Sequence, residues 1–361
     1  MSKFKSVLSK IGIILGIILM LGLSYCMYVL VSYERIEDNS SVGIAAPLSS
    51  APLKEASCGE EMTIVSYNIG FGAYTPDYTF FMDGGKSSWA ESKDSVKRMV
   101  TGAGECVSEQ EPDIVLFQEV DLDSTRTYHV NEVKLLSGIY PDYTGAFALN
   151  YDSPFLLYPF YQPHGASKAG LLTLSGFLIK DCVRRQLPVS DSLSKLVDLD
   201  RAYTVTRIPV SGGKQLVIIN LHLSAYGSSA KVREGQTAML KAEMEREYAA
   251  GNYVIAGGDF NHDLKLKEDM PSLYWAHYYD RNLLPEHFDF AIDLLSEEEF
   301  EKLGNTCRDA GTPYDEKNAY TVTVDGFIIS DNVNCLSYEN LQTGYEYSDH
   351  NPVVMKFELK E

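Results

Sequence analysis

Six apolar runs in this chain stop at, or start beside, a side chain that offers oxygen or imidazole donors. That recurrence restricts the fold more than any other feature. Residues 64–67 stop at Asn68, 114–117 at Gln118 and Glu119, and 217–220 at Leu221 and His222. Residues 253–256 stop at Gly257-Gly258-Asp259-Phe260-Asn261, 322–324 stop at Asp325, and Asp349-His350 precedes the last apolar run. One Asp or Asn after a strand is ordinarily a turn residue. Repetition argues for more, because rigid strands with their ends gathered would present all of these groups to one place.

The segments between them alternate. Residues 62–70, 113–120, 170–179, 201–210, 215–224 and 252–261 are short, apolar and rich in β-branched residues, which predicts strands. Residues 322–330 and 352–359 predict two more. Ser211-Gly212-Gly213-Lys214 predicts a hairpin turn. Val96, Met99, Val100, Ala103 and Val107 recur at helical spacing, which predicts a helix over 91–109, and 230–249 predicts another. Strands joined in hairpins and mixed with helices predict an α/β domain of two packed, mainly antiparallel β-sheets flanked by helices.

Residues 11–31 carry no charged side chain. As a helix the run would be about 32 Å long, enough to cross a hydrocarbon core of ~30 Å. Lys3, Lys5 and Lys10 precede it, while Glu34, Glu37 and Asp38 follow with Arg35. That asymmetry predicts a single-pass protein of the cell membrane, with residues 1–10 cytoplasmic and the rest outside. A cleaved signal peptide is the alternative. The run is long for one and ends in bulky Tyr28, Val29, Leu30 and Val31, which favours an uncleaved anchor. Residues 32–57, rich in Ser, Ala and Pro, predict a tether, leaving 58–361 as one catalytic domain.

The formal net charge is −19, a field that repels polyanions unless a basic patch or metal ions offset it. Nucleic acid is therefore a disfavoured partner, though not an excluded one. None of the six cysteines stands in a CxxC pair, so no zinc or redox motif is indicated, and outside the cytoplasm some could form disulfides. The gathered groups are hard oxygen donors and imidazoles. They suit Mg2+, with Mn2+ or Ca2+ as alternatives, better than zinc.

In order, SYNIG, FQEVD, NLHLS, GGDFN, VDGF and SDHNPV resemble the motifs of the endonuclease/exonuclease/phosphatase superfamily. Its members include DNase I-like nucleases, inositol polyphosphate 5-phosphatases and neutral sphingomyelinases. The resemblance spans essentially the whole domain, and GGDFN and SDHNPV are its most specific parts. It implies a four-layer DNase I-like sandwich and a metal-dependent phosphoester hydrolase. Glu119 would be the main metal-binding carboxylate, with Asn68 and Asp349 completing the surroundings directly or through water. Asp259 and Asn261 would position the attacking water and the phosphate, and His222 would hydrogen-bond the phosphate. His350 would be the catalytic histidine, and Asp325 the carboxylate that orients it. The residue types suit the reaction. A divalent ion offsets the charge of an anionic ester, and a carboxylate beside an imidazole fixes its tautomer and raises its pKa.

Several features depart from the pattern or add to it. Many members of the superfamily carry Ser-Arg where this chain has Ser175-Gly176, so an arginine contact to phosphate is missing. Arg201 is a substitute source of positive charge, or else an ion-pair partner of Asp198 or Asp200. Residues 151–161 are unusually aromatic and lead into Gln162-Pro163-His164-Gly165. A loop there would wall the substrate, with His164 as a substrate-binding candidate, unless the rings fill the core. Residues 74–89 form a second aromatic loop that could cover the cleft. Arg233 and Gln236 are expected to anchor their helix. His129, His262, His277 and His287 have no motif around them.

Three functions fit. The anchor and the acidic field favour an extracytoplasmic phosphodiesterase or phosphatase acting on a small or lipid-linked phosphoester. A DNase I-like surface nuclease shares the motifs. A non-catalytic surface binding module would keep the fold alone, and intact Glu119, Asp259, Asn261, Asp325 and His350 argue against it. No protein partner is expected.

Overall fold

A computed structural model describes residues 2–32, 35–50, 52–190, 200–224, 229–266 and 276–361. The strands of the two main sheets are, in chain order, β1 Ser40–Ser41, β2 Ile44–Ala45, β3 Met62–Asn68, β4 Ile114–Ser124, β5 Thr144–Leu156, β6 Gly165–Ser175 and β7 Asp181–Gln186. They continue as β8 Ala202–Pro209, β9 Gln215–His222, β10 Tyr253–Asp259, β11 Phe288–Phe290, β12 Asp325–Ser330, β13 Val333–Asn340 and β14 Val353–Leu359. One sheet is ordered β1-β7-β8-β9-β10-β12-β11 and the other β13-β14-β3-β4-β6-β5-β2. Neighbours are antiparallel except β3 with β4 and β9 with β10.

Those two parallel pairs decide where the chemistry sits. A parallel pair brings two strand C-termini to one edge. Asn68 pairs with Gln118 at the end of the first, and Asp259 with His222 at the end of the second. The sheets face each other across a core that includes Ile64, Leu116, Ile218, Ile255, Phe327 and Met355. Helices α2 (Lys93–Ser108) and α3 (Glu132–Ile139) cover the outer face of the β3–β4 sheet through Val100, Ala103 and Leu136. Helix α4 (Ala230–Ala249) covers the other sheet with Leu240 and Met244. Central strands are thus buried on both faces, and β3, β10 and β12 are buried throughout. This is why they read as continuous apolar runs rather than alternating ones. Ser92 caps α2 by accepting from the Ser95 N–H, and Ser229 caps α4 by accepting from Val232.

Four expectations change. Residues 151–156 belong to β5, so the aromatic stretch there is strand rather than loop. Residues 322–330 are broken: Thr321–Val322 pairs with Cys307–Arg308, and β12 begins at Asp325. Asp325 therefore opens a strand. It joins the site because β12 runs antiparallel to β10, which sets Asp325 opposite Asp259. The six cysteines are unpaired thiols.

The fourth change concerns the tether. Its residues are hydrogen-bonded into the domain: β1 extends one sheet at β7, and β2 extends the other at β5. Buried Arg184 on β7 locks the arrangement, donating to the carbonyls of Leu149 (2.6 Å), Ile36 (3.1 Å) and Glu37 (3.2 Å). Asp38 accepts from the Gln186 N–H at 2.7 Å. The segment is a strap across two sheet edges, held by backbone groups that composition does not reveal.

Before it, α1 (Ser2–Ser32) is apolar and long enough to cross a membrane, a property shared with signal sequences.

Candidate active site

One backbone irregularity on β4 sets two side chains. The pairing of β4 with β6 slips between Phe117 and Val120, and Glu119 sits at φ +54°. That left-handed conformation costs a side-chain-bearing residue roughly 1–2 kcal/mol and marks a bulge that re-aims the chain. Gln118 turns inward and is fully buried, its Nε2 donating to Asn220 Oδ1 at 2.9 Å. Asn220 in turn donates to the carbonyls of Phe117 (3.3 Å) and Leu172 (3.2 Å). Gln118 and Asn220 thus tie one sheet to the other directly beneath the site. Glu119 turns outward, its Oε1 accepting from Asn68 Nδ2 at 3.2 Å.

The end of β10 needs its two glycines for packing. A Cβ on Gly258, at φ +143°, would lie 2.0 Å from the Leu221 carbonyl oxygen of β9. One on Gly257 would meet the Phe327 ring at 2.4 Å. The close approach is therefore between strands. Beyond them, Asp259 Oδ1 accepts from the Asn261 N–H at 2.8 Å, and Asn261 takes φ +51°, an Asx turn at the strand end.

The other oxygen of Asp259 is the hub of the cluster. Oδ2 lies 3.1 Å from Asn68 Nδ2, 3.4 Å from His222 Nε2 and 3.9 Å from His350 Nε2. His222 Nε2 is also 4.0 Å from Glu119 Oε1. His350 Nδ1 is bound to Asp325 Oδ2 at 2.8 Å. Asp325 is held in turn by Thr306, whose Oγ1 accepts from the Asp325 N–H at 3.2 Å. Ser348 Oγ donates to the Asn68 carbonyl at 2.8 Å and lies 3.2 Å from Asp349 Oδ1, which pins the Asp349-His350 turn against β3.

Burial and crowding shape the charges. Burial and the neighbouring Asp325 charge push the Asp259 carboxyl up to about 7, against the pull of His350. Burial and Asp349 raise Glu119, and Arg126 works against them. Burial opposes the charged form of His350, but Asp325 and the Cys307 thiol outweigh it and hold its pKa well above the ordinary value. Burial, with the charges of Arg201 and His350, drives His222 well below it. The two histidines are thus set apart, one cationic and one neutral. Asp259, Asp325 and His350 offer ligand atoms all within 4.8 Å of one another, a spacing that could hold a metal ion.

The structure brings together Asn68, Glu119, His222, Asp259, Asp325, Asp349 and His350. Asn68 departs from one expectation: its Oδ1 accepts from the Gly70 N–H at 3.0 Å, so it shows the carboxylates its NH2. Arg201 stands at the edge of the cluster, because it and Asn261 both donate to the Leu223 carbonyl, at 2.8 and 3.0 Å. Asp200 pairs with Arg35 at 3.4 Å, and Asp198 lies outside the described residues. His164 is not part of the ring of donors. It is buried under Phe80 and Phe81, and burial together with the Arg126 charge lowers its pKa to about 3. Ser175 pairs with Ile114 at the start of β4, five residues before Glu119, so an arginine after it would not stand at the site. Gln236 does anchor α4, accepting from the Ser224 N–H and donating to the Pro188 carbonyl.

Asn220, Thr306 and Ser348 support the site without having been singled out, and Gln118, expected at a strand end, supports it from beneath. Ser348 was within reach, as the first residue of SDHNPV. A cavity of about 850 Å3 opens elsewhere, between α2 and residues 75–91, lined by Trp89, Arg98, Tyr128 and Tyr347. Convergent titratable groups locate the candidate site better than cavity size does.

The fold has known counterparts. A structure described as an endonuclease/exonuclease/phosphatase from Beutenbergia cavernae DSM 12333 matches with TM-score 0.56 and 17% identity over 83% of this chain and 72% of that one. The human Nocturnin catalytic domain, solved with a bound sulfate anion, matches with TM-score 0.54 and 17% identity over 88% and 98%. TDP2 from D. rerio, complexed with single-strand DNA product, matches with TM-score 0.54 and 14% identity over 83% and 99%. No curated protein sequence matches. The model of the Endonuclease/Exonuclease/phosphatase family matches residues 65–291, from β3 past β11, and the chain belongs to that family.

Proposed function

We propose that this protein is a membrane-anchored, divalent-metal-dependent hydrolase that cleaves a phosphoester by attack of water on phosphorus. The observation that carries the reading is the placement of Asp259. Its Oδ2 is ringed by Asn68, His222 and His350 at 3.1–3.9 Å, and its Oδ1 is held by the Asn261 N–H. A carboxylate fixed on one oxygen, with an amide and two imidazoles gathered round the other, is arranged to orient a water and take its proton. His350, kept cationic by Asp325, donates through Nε2 to a phosphoryl oxygen as charge builds there. Neutral His222 contributes a hydrogen bond, and Asn261 and Arg201 bracket the ester from the Leu223 side.

Glu119 and Asp349, with Asn68 beside them, would hold the metal ion. Burial and repulsion from Asp349 already disfavour the charge on Glu119, which a cation would restore, and its side chain keeps 23% exposure. The Asp259–Asp325–His350 group is compact enough for an ion, but its atoms are spent on one another, Nδ1 of His350 on Asp325 above all. Mg2+ suits this all-oxygen set, with Mn2+ or Ca2+ as alternatives. When bound, the ion would offset charge on the ester and its leaving oxygen.

Lys3, Lys5 and Lys10 ahead of the apolar helix support a domain outside the cytoplasm, on a single-pass anchor in the cell membrane. The substrate class follows from charge: a small or lipid-linked ester suits a chain of net charge −19 better than a polyanion. The test is a panel offered to the full-length protein in detergent: an aryl phosphodiester, a nucleotide, a phospholipid and plasmid DNA, with EDTA and with Mg2+ restored. Metal-dependent turnover that disappears in Asp259→Asn is expected. Turnover of none of them removes the proposal, and preferential nicking of the plasmid replaces it with a nuclease.

A further inference from the structure

Residues 155–161 hold large apolar side chains in the open. Phe160 is 84% exposed, Tyr161 70% and Tyr158 61%, and Phe155, Leu157 and Met82 add to the same surface. Contiguous exposed aromatics mark an interaction surface. Helix α1 indicates what covers it. Tyr25 Oη accepts from the Leu157 N–H at 2.8 Å and donates to the Phe155 carbonyl at 3.2 Å. Tyr28 Oη accepts from the Phe155 N–H at 3.2 Å. In water these amides at the end of β5 need no such partners. At apolar depth each one left unpaired is costly, and two phenols of the apolar helix satisfy them.

The level is set by the same contacts. The uncharged run begins after Lys10, and Tyr25 and Tyr28 lie in its last two turns before Ser32. That is where tyrosines anchor a span at the membrane–water interface. Residues 155–157 touch them there.

The surface also leads to the cleft. Tyr158 meets Phe81 at 5.8 Å between ring centroids, Phe81 meets Phe80 at 4.9 Å, and Phe80 meets Tyr74 at 6.1 Å. A Cβ on Gly70 would meet Tyr74 Cδ2 at 2.5 Å and Asp349 Oδ1 at 2.9 Å, so the Tyr74 ring and the Asp349 carboxylate flank the same backbone position at the site. The lip is stiff: Tyr161 Oη donates to the Lys86 carbonyl, and Trp89 Nε1 to the Pro163 carbonyl, each at 2.7 Å.

We infer that residues 155–161, with Met82, enter the headgroup zone of the bilayer that α1 crosses, so that the cleft is offered a phosphoester carried by a phospholipid headgroup. The substrate half of this inference rests on the hydrolase reading above; the lipid contact stands apart from it.

The full-length protein in phosphatidylcholine vesicles tests both halves. Phe160→Trp adds one emitter to the two native tryptophans. Brominated acyl chains are expected to quench the added emission, and an added signal equal with and without bromine overturns the surface. In the second arm, Phe160→Ser with Tyr161→Ser is expected to slow turnover of vesicle phospholipid by about tenfold or more while a dissolved aryl phosphodiester stays within about twofold. An equal loss on both, or no loss on the lipid, overturns the inference and leaves the hydrolase reading in place. A parent protein that turns over neither ester sinks the hydrolase reading, and the quenching arm then decides the surface alone.

Discussion

Nε2 of His350 faces Oδ2 of Asp259 at 3.9 Å, while the opposite nitrogen of the same ring is held by Asp325 at 2.8 Å. The ring is locked on one side and presented on the other, between two carboxylates that do different work. Replacing it by Ala should lower kcat by about 10²–10⁴-fold, the usual span for a positioned acid or base. Asp325→Asn should cost a similar order, and the double variant should be no slower than His350→Ala, because the two act as one unit. Steady-state kinetics on the identified substrate checks this. A His350→Ala protein within about tenfold of the parent would take the ring out of the chemistry.

The pH dependence follows from Asp259, whose carboxyl is pushed up to about 7. Its unfolded value is about 3.9. Between these values the folded state holds a proton that the unfolded state has released. Its contribution to stability therefore falls as pH rises from about 4 to about 7 and stays low above that. The difference in melting temperature between Asp259→Asn and the parent, both in EDTA, should thus widen in favour of the variant across that window. A difference flat with pH would contradict it. Activity should run the other way, rising as Asp259 ionises, with the rise shifted below 7 once a divalent cation shares the site.

Metal removal should abolish turnover, and Mg2+ should restore it. A ion that binds only the folded state also raises its melting temperature in proportion to the logarithm of its concentration. Glu119→Gln should require about tenfold or more Mg2+ for half-maximal activity while leaving the fold intact. A Mg2+ titration followed by both activity and melting temperature distinguishes lost affinity from lost folding, and an unchanged titration midpoint would move the ion away from Glu119.

Gly258→Ala should destabilise the domain by about 2–4 kcal/mol, because the new Cβ falls on the β9 backbone and the conformation disfavours a side chain. The Leu221 carbonyl stands 2.0 Å from where that carbon would be, and backbone cannot step aside as a side chain could. Urea unfolding measures the loss. A shift under about 0.5 kcal/mol would mean that β9 and β10 are free to part there.

Much of this was legible because it was local. The helix over 230–249, the strands ending at Asn68, His222 and Asp259, and the Asp349-His350 turn each lie within a few residues of their own signal. What escaped was non-local or unsignalled. Nothing in FQEVD says that Glu119 takes a left-handed conformation, since Glu is not a residue chosen for it. The direction of β12, which makes Asp325 a starting rather than a finishing residue, depends on which strand it pairs with. Gln118 and Asn220 are far apart in the chain and meet only once the sheets stack. Ser40–Ser41 and Ile44–Ala45 are too short to show a period, so their pairing looked like linker.

That strap bears on how the domain can be handled as a separate piece. A fragment cut at Cys58, the boundary that composition suggests, would strip β7 and β5 of their outer partners at once and take from Arg184 the carbonyls of Ile36 and Glu37. Two bare, adjacent strand margins are templates for joining other molecules edge to edge. Such a fragment would be lost to clumping before its catalysis could be judged, and a piece meant to stay dispersed has to keep the chain from Arg35 onward.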